Sequence, residues 1–132
     1  MRTSFILFVA LCLVTISCKV SDNSLPENIT GDYEGIRINS YWIDSLQKFG
    51  RDTSDVMVTV VKLDTGSFVN VSFTPSSNED FTFEYRRGQY IPGNYFHAPI
   101  LKLKNDCLYF KYQGSIGPYW TECFGKKATT GN

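Results

Sequence analysis

The sequence predicts an all-β protein: a single antiparallel up-and-down barrel or half-barrel of about eight strands. Two observations support this prediction. Short runs of β-branched and aromatic residues alternate with turn-forming residues, and helical periodicity is rarely sustained. The connections between the runs are also short, whereas parallel strands need crossovers of about a dozen residues. A two-sheet β-sandwich is the alternative architecture.

Eight runs are expected to form the strands. They cover residues 32–38, 56–63, 67–74, 81–86, 89–97 with an interruption, 100–104, 107–112 and 119–125. Turn residues separate them, among them Asp64-Thr65-Gly66 and Asn105-Asp106. The second run is apolar on both of its faces, which is typical of a strand in the middle of a sheet.

One gap between the runs, residues 39–55, is long enough to hold a helix. Trp42, Leu46 and Phe49 share a face at helical spacing, and Gly50 follows as a helix terminator. The sequence therefore predicts a short helix over residues 41–49.

The N-terminus has the features of a signal peptide. Arg2 supplies a positive charge, residues 5–16 are almost all apolar, and Ser17 precedes Cys18. This apolar run is shorter than the roughly 20 residues that a helix needs to cross a bilayer. Residues 15–18 resemble the lipobox of bacterial lipoproteins, with Thr15 where that family usually has Leu.

The lipobox resemblance implies cleavage after residue 17 and a lipid on Cys18 that holds the protein in the membrane. Residues 18–28 are polar and are expected to form a flexible tether, followed by a β domain over 29–127 and a tail over 128–132. Lys19 resembles an outer-membrane retention signal. Whether the domain faces the periplasm or the outside is left open, and ordinary secretion with Cys18 as a plain thiol is the alternative.

The charge and the reactive residues exclude several classes of function. The chain has 13 Lys and Arg against 13 Asp and Glu, so it lacks the basic excess of a nucleic-acid binder. Its single histidine, His97, cannot supply a zinc site, and no phosphate loop or serine nucleophile motif is present. We expect a monomeric, non-enzymatic protein without a cofactor or a metal.

The remaining cysteines form a candidate disulfide. Cys12 leaves with the signal peptide and Cys18 carries the lipid, so Cys107 and Cys123 are left as a pair in an oxidising compartment. If the Asn105-Asp106 turn and a turn about Ser115 set the strand pairing, Cys107 lies directly opposite Cys123.

The same pairing predicts the residues that line the interior. It places Phe110, Tyr112, Trp120 and Glu122 on one inner face, where they are candidate ligand-binding residues. The alternative for Glu122 is a rim position or an error in the pairing. A second group of aromatic residues flanks loops and is a candidate surface-binding group; it consists of Tyr90, Tyr95 and Phe96.

Both ends of the predicted barrel carry a family resemblance. Gly31-Asp32-Tyr33-Glu34-Gly35 and residues 123–127 (Cys-Phe-Gly-Lys-Lys) resemble small lipocalin-like lipoproteins of Bacteroides-type bacteria. Gly31-x-Tyr33 is similar to the Gly-x-Trp that begins a lipocalin barrel, with Tyr in place of Trp. The resemblance covers residues 29–127, and it implies an up-and-down barrel and, in many members, an unassigned ligand.

Three functions are consistent with these observations. The first is an envelope carrier of a small apolar or amphipathic ligand, which requires a cavity inside the barrel. The second is a protein-binding module, such as a hydrolase inhibitor. The third is a glycan-binding lipoprotein, which requires coplanar, solvent-facing aromatic rings. Asp44-Ser45-Leu46 is also similar to a site that Bacteroides-type bacteria glycosylate on exported proteins.

Overall fold

A computed structural model describes residues 25–64, 66–75, 80–95, 97–114 and 118–129. The predicted signal peptide, Cys18 and Phe96 lie outside the described residues. The strands are β1 (Gly31–Ile43), β2 (Lys48–Lys62), β3 (Phe68–Thr74), β4 (Phe81–Arg86), β5 (Gln89–Pro92), β6 (Ile100–Lys104), β7 (Cys107–Gln113) and β8 (Trp120–Lys127).

All eight strands belong to one antiparallel sheet with the order β5-β4-β3-β2-β1-β8-β7-β6. Except for β5 and β6, neighbours in sequence are neighbours in the sheet, and the first strand also pairs with the last. The sheet therefore curls into a nearly closed barrel whose seam lies between β5 and β6. This confirms the predicted up-and-down barrel rather than the two-sheet alternative.

The inside of the barrel is filled by side chains that alternate along the strands. Val56, Val58 and Val60 of β2 are buried, as the period of two in an extended strand requires. The middle holds an aromatic group in which the rings of Phe81 and Phe110 lie 5.0 Å apart and those of Phe73 and Phe110 lie 4.9 Å apart. The core therefore combines buried aliphatic residues with a central group of aromatic rings.

The predicted helix over residues 41–49 is wrong. β1 continues to Ile43, a single 3-10 turn covers Asp44–Leu46, and β2 begins at Lys48. Trp42 and Phe49, which are also at helical spacing, are cross-strand partners. Gln47 has a φ of 48° and reverses the chain, so a tight hairpin replaces the helix.

The hairpin of β1 and β2 is longer than the rest of the barrel. β3 pairs with β2 from Met57 to Lys62. Over the part of the chain that the structure describes, no strand pairs with residues 48–56 of β2 on that side. We call these residues the free edge of β2.

β1 and β8 come closest at two facing glycines. Gly35 is the cross-strand partner of Gly125. A Cβ atom on Gly35 would lie 1.8 Å from the carbonyl oxygen of Phe124 and 2.6 Å from the Cα of Gly125. Only a residue without a side chain fits at this point, since the atoms in the way are backbone and cannot turn aside.

The segment before β1 is attached to one end of the barrel. Ile29 is buried, and the Tyr33 hydroxyl donates a hydrogen bond of 2.7 Å to its carbonyl oxygen. The Lys127 ammonium donates to the carbonyl oxygen of Asn28. The predicted tether therefore leaves the domain at the end where β1 begins. Within the described ranges, no helix is long and apolar enough to span a bilayer.

Replacing Gly35 by alanine is predicted to cost at least about 3 kcal/mol in the free energy of unfolding, because the new methyl group forces the β1 and β8 backbones apart. Denaturant unfolding followed by circular dichroism measures this change.

Gly93→Ala is the matched control. A Cβ there would make ordinary contacts at 3.5 Å and 3.7 Å, so we expect a change within about 1 kcal/mol. Equal stability of the two variants would contradict the close approach of β1 and β8.

Candidate functional site

The register between β7 and β8 differs from the sequence prediction. The predicted pairing of β6 and β7 is confirmed, with Leu103 opposite Leu108. On the other side of β7, however, Cys107 pairs with Lys126 and Phe110 pairs with Cys123. The register is shifted by three residues, and an odd shift moves every side chain of β8 to the opposite face. The loop is wider than a turn about Ser115, because the Gly114 amide donates to the carbonyl oxygen of Tyr119.

The predicted disulfide between Cys107 and Cys123 is wrong for this reason. Cys123 is buried in the core opposite Phe110, while Cys107 is exposed on the outer face, and both are free thiols. Burial raises the pKa of the Cys123 thiol to about 11, an effect that the nearby Arg37 guanidinium partly opposes.

The four candidate ligand-binding residues do not come together. Phe110 is buried in the aromatic core, and the half-buried ring of Tyr112 packs on Phe81 at 4.9 Å. Trp120 and Glu122 lie on the outer face of β8, as the shifted register requires. The expectation that these residues line one internal site is therefore wrong.

Glu122 is engaged on the surface of the barrel. Its carboxylate accepts a hydrogen bond of 3.0 Å from the Tyr109 hydroxyl, and the Lys111 ammonium lies 3.9 Å away. Partial burial, together with this hydrogen bond and the negative charge, raises the pKa of Tyr109. The carboxylate thus has ordinary partners at an outer position.

The candidate surface aromatics also differ from expectation. The Tyr95 hydroxyl accepts a hydrogen bond of 2.6 Å from the Thr82 amide, and its ring lies 5.4 Å from Phe81. Tyr90 packs against Tyr85 at 5.1 Å, and burial raises its pKa. Both rings support the core, and Phe96 lies outside the described residues.

An aromatic surface that sequence reasoning missed lies on the β1–β2 hairpin. The ring of Phe49 is 4.9 Å from Trp42 and 5.0 Å from Trp120. We call these three residues the outer aromatic cluster. Phe49 and Trp120 stand on the strands that flank β1, so their contact passes over β1 at Ser40, the cross-strand partner of Trp120.

Ser40 forms the floor beneath this cluster. It is 2% exposed although it faces outward, and its hydroxyl has no hydrogen-bond partner in the described structure. A larger side chain there would separate Phe49 from Trp120. The ring of Phe49 itself is 48% exposed, so the top of the cluster is in contact with solvent.

The rings of the outer aromatic cluster are not coplanar. The planes of Trp42 and Phe49 are inclined by 70°, and those of Phe49 and Trp120 by 53°. A flat platform for stacking a sugar ring needs coplanar faces, and these inclined rings do not provide one. The spacing of Trp42 and Phe49 about a tight turn was the sequence signal for this pair, because such a turn makes them cross-strand neighbours.

The free edge of β2 lies beside the outer aromatic cluster. The outward side chains along it follow the alternation from Phe49 through Arg51 and Thr53 to Asp55, all exposed. A strand edge offers a row of amide and carbonyl groups to another extended chain. We take the free edge and the cluster together as the candidate functional site.

The comparisons with known proteins give no match: neither a family model, nor a curated protein, nor a solved structure matches this chain. Among the residues that the structure describes, no group of three or more His, Cys, Asp and Glu side chains is placed to hold a metal ion. The fold is that of a lipocalin-like barrel.

The buried Cys123 thiol makes stability depend on pH. The pKa of this thiol is about 9 in the unfolded chain and about 11 in the folded one. Its contribution to the free energy of unfolding is therefore fully present below about pH 9 and is lost as the pH rises through 11. We expect the free energy of unfolding to fall by about 1 kcal/mol between pH 8 and pH 10 from this group.

Denaturant unfolding at both pH values measures this effect, with Cys123→Ala and Cys107→Ser compared with the parent. The alanine variant should lose this part of the pH dependence, and Cys107→Ser should keep it because that thiol is exposed. Identical pH dependence in all three chains would argue against a buried Cys123.

Proposed function

We propose that this protein is a non-enzymatic, lipid-anchored lipoprotein of the cell envelope that binds an extended segment of a partner protein along the free edge of β2. The observation that carries the proposal is this unpaired edge beside the exposed outer aromatic cluster. Added strands gain affinity from backbone hydrogen bonds and specificity from side-chain contacts.

The dimensions of the free edge are sufficient for this mode of binding. Residues 48–56 extend about 30 Å at roughly 3.3 Å per residue, which is longer than an average strand. The charged side chains of Lys48, Arg51, Asp52 and Asp55 lie along it. Such charges discourage indiscriminate pairing of edges, so a bound strand must complement them.

The order of these side chains defines the chemistry of the partner. Directly opposed residues on one face of an antiparallel pair contact each other. An apolar residue is favoured opposite Phe49, an acidic residue opposite Arg51 and a basic residue opposite Asp55. Read along the added strand, the pattern is an apolar residue, an acidic residue two positions away and a basic residue four positions beyond it.

The packing of the barrel supports a partner on the outside rather than a small ligand within. The ring centroid of Phe81 lies 5.0 Å from that of Phe110, 4.9 Å from that of Tyr112 and 6.0 Å from that of Phe73. Aromatic side chains therefore occupy the middle of the barrel. The tilted rings of the outer aromatic cluster likewise favour a protein over a glycan. The proposed anchor rests on the lipobox resemblance at residues 15–18.

The anchor is tested by metabolic labelling with a radioactive or clickable fatty acid in a bacterium that processes lipoproteins. The wild-type chain should incorporate the label and sediment with membranes, and Cys18→Ala should do neither. Cys107→Ser is the matched control and should label normally, since Cys107 lies outside the lipobox at residues 15–18. Label that persists in Cys18→Ala would refute lipidation at this residue.

Partner binding is tested by retention of envelope and secreted proteins of a Bacteroides-type bacterium on the immobilised chain. Phe49→Ala should weaken the binding of the retained protein by about tenfold or more, because it removes a central aromatic contact. Val61→Ala is the matched control, because Val61 lies on the same strand outside the free edge and is 48% exposed, like Phe49.

Hydrogen exchange locates the contact. The amides of residues 48–56 should become protected when the retained partner is bound. Equal losses in the two variants, or protection elsewhere, would count against the free edge. Co-purification of a lipid with no retained protein would favour the carrier instead.

A further inference from the structure

A second outward surface combines positive charge with aromatic side chains. On β6, β7 and β8, the lysines Lys102, Lys104 and Lys126 surround the rings of Tyr109 and Phe124, which lie 5.1 Å apart. These five residues line an open, mostly apolar depression of about 540 Å³. We call them the basic face.

The lysines of the basic face outnumber the carboxylates beside them. In the described part of the chain, no Asp or Glu forms an ion pair with Lys102, Lys104 or Lys126. Glu34 lines the same depression and is the cross-strand partner of Lys126. Three lysines against Glu34 and, beside Lys104, Asp106 leave a net positive surface on a chain whose net charge is zero.

The basic face lies at the end of the barrel where the tether begins. Lys104 shares a small depression with Pro26, Asn28 and Asp106. Cys18 precedes Asn28 by ten residues, which span at most about 36 Å when fully extended. A lipid on Cys18 would therefore hold this end of the barrel close to the bilayer.

We propose that the basic face docks on an anionic phospholipid surface; the proposal rests on the lipid anchor of the proposed function. Lysines near an anionic leaflet bind its headgroups, and aromatic rings favour the interface between headgroups and acyl chains. This attraction acts only within a Debye length of about 8 Å. The anchor confines the basic face to the neighbourhood of the bilayer, which raises the frequency with which it comes within that range. The free edge of β2 lies on the other side of β1 from β8, so the two proposed contacts use different strand edges and faces.

Sedimentation with phospholipid vesicles tests the docking without the anchor. The chain of residues 18–132 carrying Cys18→Ala contains the whole barrel and no lipid site. It should bind vesicles of phosphatidylglycerol and phosphatidylethanolamine and not vesicles of phosphatidylcholine. Replacing Lys102, Lys104 and Lys126 by Gln should weaken binding on the order of a hundredfold.

The matched control removes two charges from β2 and β4, by Gln at Lys62 and Arg86, neither of which lines the basic face. It is compared with a double variant that carries Gln at Lys102 and Lys126. The control should retain vesicle binding, whereas the basic-face variant should bind about thirtyfold more weakly. Equal binding by the two double variants, or equal binding of the parent chain to neutral vesicles, would overturn the proposal. Circular dichroism checks that each variant is folded.

The native Cys107 supplies a second readout that needs no change to the basic face. Cys107 is exposed and is the cross-strand partner of both Lys104 and Lys126, whereas Cys123 is buried. Anionic vesicles should slow the reaction of Cys107 with a membrane-impermeant maleimide, and neutral vesicles should not. Unchanged labelling of vesicle-bound chain would overturn the proposal.

The two proposals fail separately. Acylation at Cys18 without vesicle binding leaves an anchored protein and removes the docking face. Vesicle binding without acylation keeps the docking face and removes the anchor.

Discussion

The pairing of β1 with β8 across Gly35 and Gly125 is the constraint on which the rest of the structure depends. The other strand pairs join neighbours in sequence, so they need only short turns. β1 and β8 come from opposite ends of the domain, and their pairing turns a flat meander into a barrel. Because a Cβ on Gly35 would overlap the backbone of β8, the approach of the two strands depends on that glycine.

This pairing also decides which side chains face the interior. With Gly35 opposite Gly125, Cys123 lies opposite Arg37 and points into the core. Trp120 then points outward and meets Phe49 over Ser40. The same strand thus contributes the Cys123 thiol to the core and the Trp120 ring to the outer surface. The outer aromatic cluster depends on this register of β8. Strand β1 lies between the free edge of β2 and the basic face.

Local chemistry made some of these features predictable from the sequence. The bounds of β4 and β6 follow from compact β-branched and aromatic runs between clear turns. The register of β6 and β7 follows from Asn105 and Asp106, which adopt φ values of 51° and 61° in a two-residue turn. The register of β7 and β8 was not predicted correctly, because Gly114 and Tyr119 close a connection longer than a two-residue turn, and a longer connection does not fix the pairing. That one error exchanged the inner and outer faces of β8. It produced the wrong disulfide and the wrong set of ligand-binding residues.

The hairpin of β1 and β2 shows a second limit of sequence reasoning. Trp42, Leu46 and Phe49 have the spacing of a helix, yet a tight turn brings Trp42 and Phe49 together across two strands. A free edge is also invisible in sequence, since it depends on where the neighbouring strand β3 stops. Pairing between distant segments, rather than local propensity, therefore decided the candidate site.

The reactivity of the two thiols tests the β8 register most directly. Residues 18–132 with Cys18→Ala are treated with iodoacetamide without reductant, and the intact mass is measured before and after unfolding. The structure predicts a single alkyl group on Cys107 in the folded chain and a second on Cys123 after unfolding. A chain that takes up no alkyl group in either state, with a mass lower by a pair of hydrogen atoms, would contain the disulfide and contradict this register.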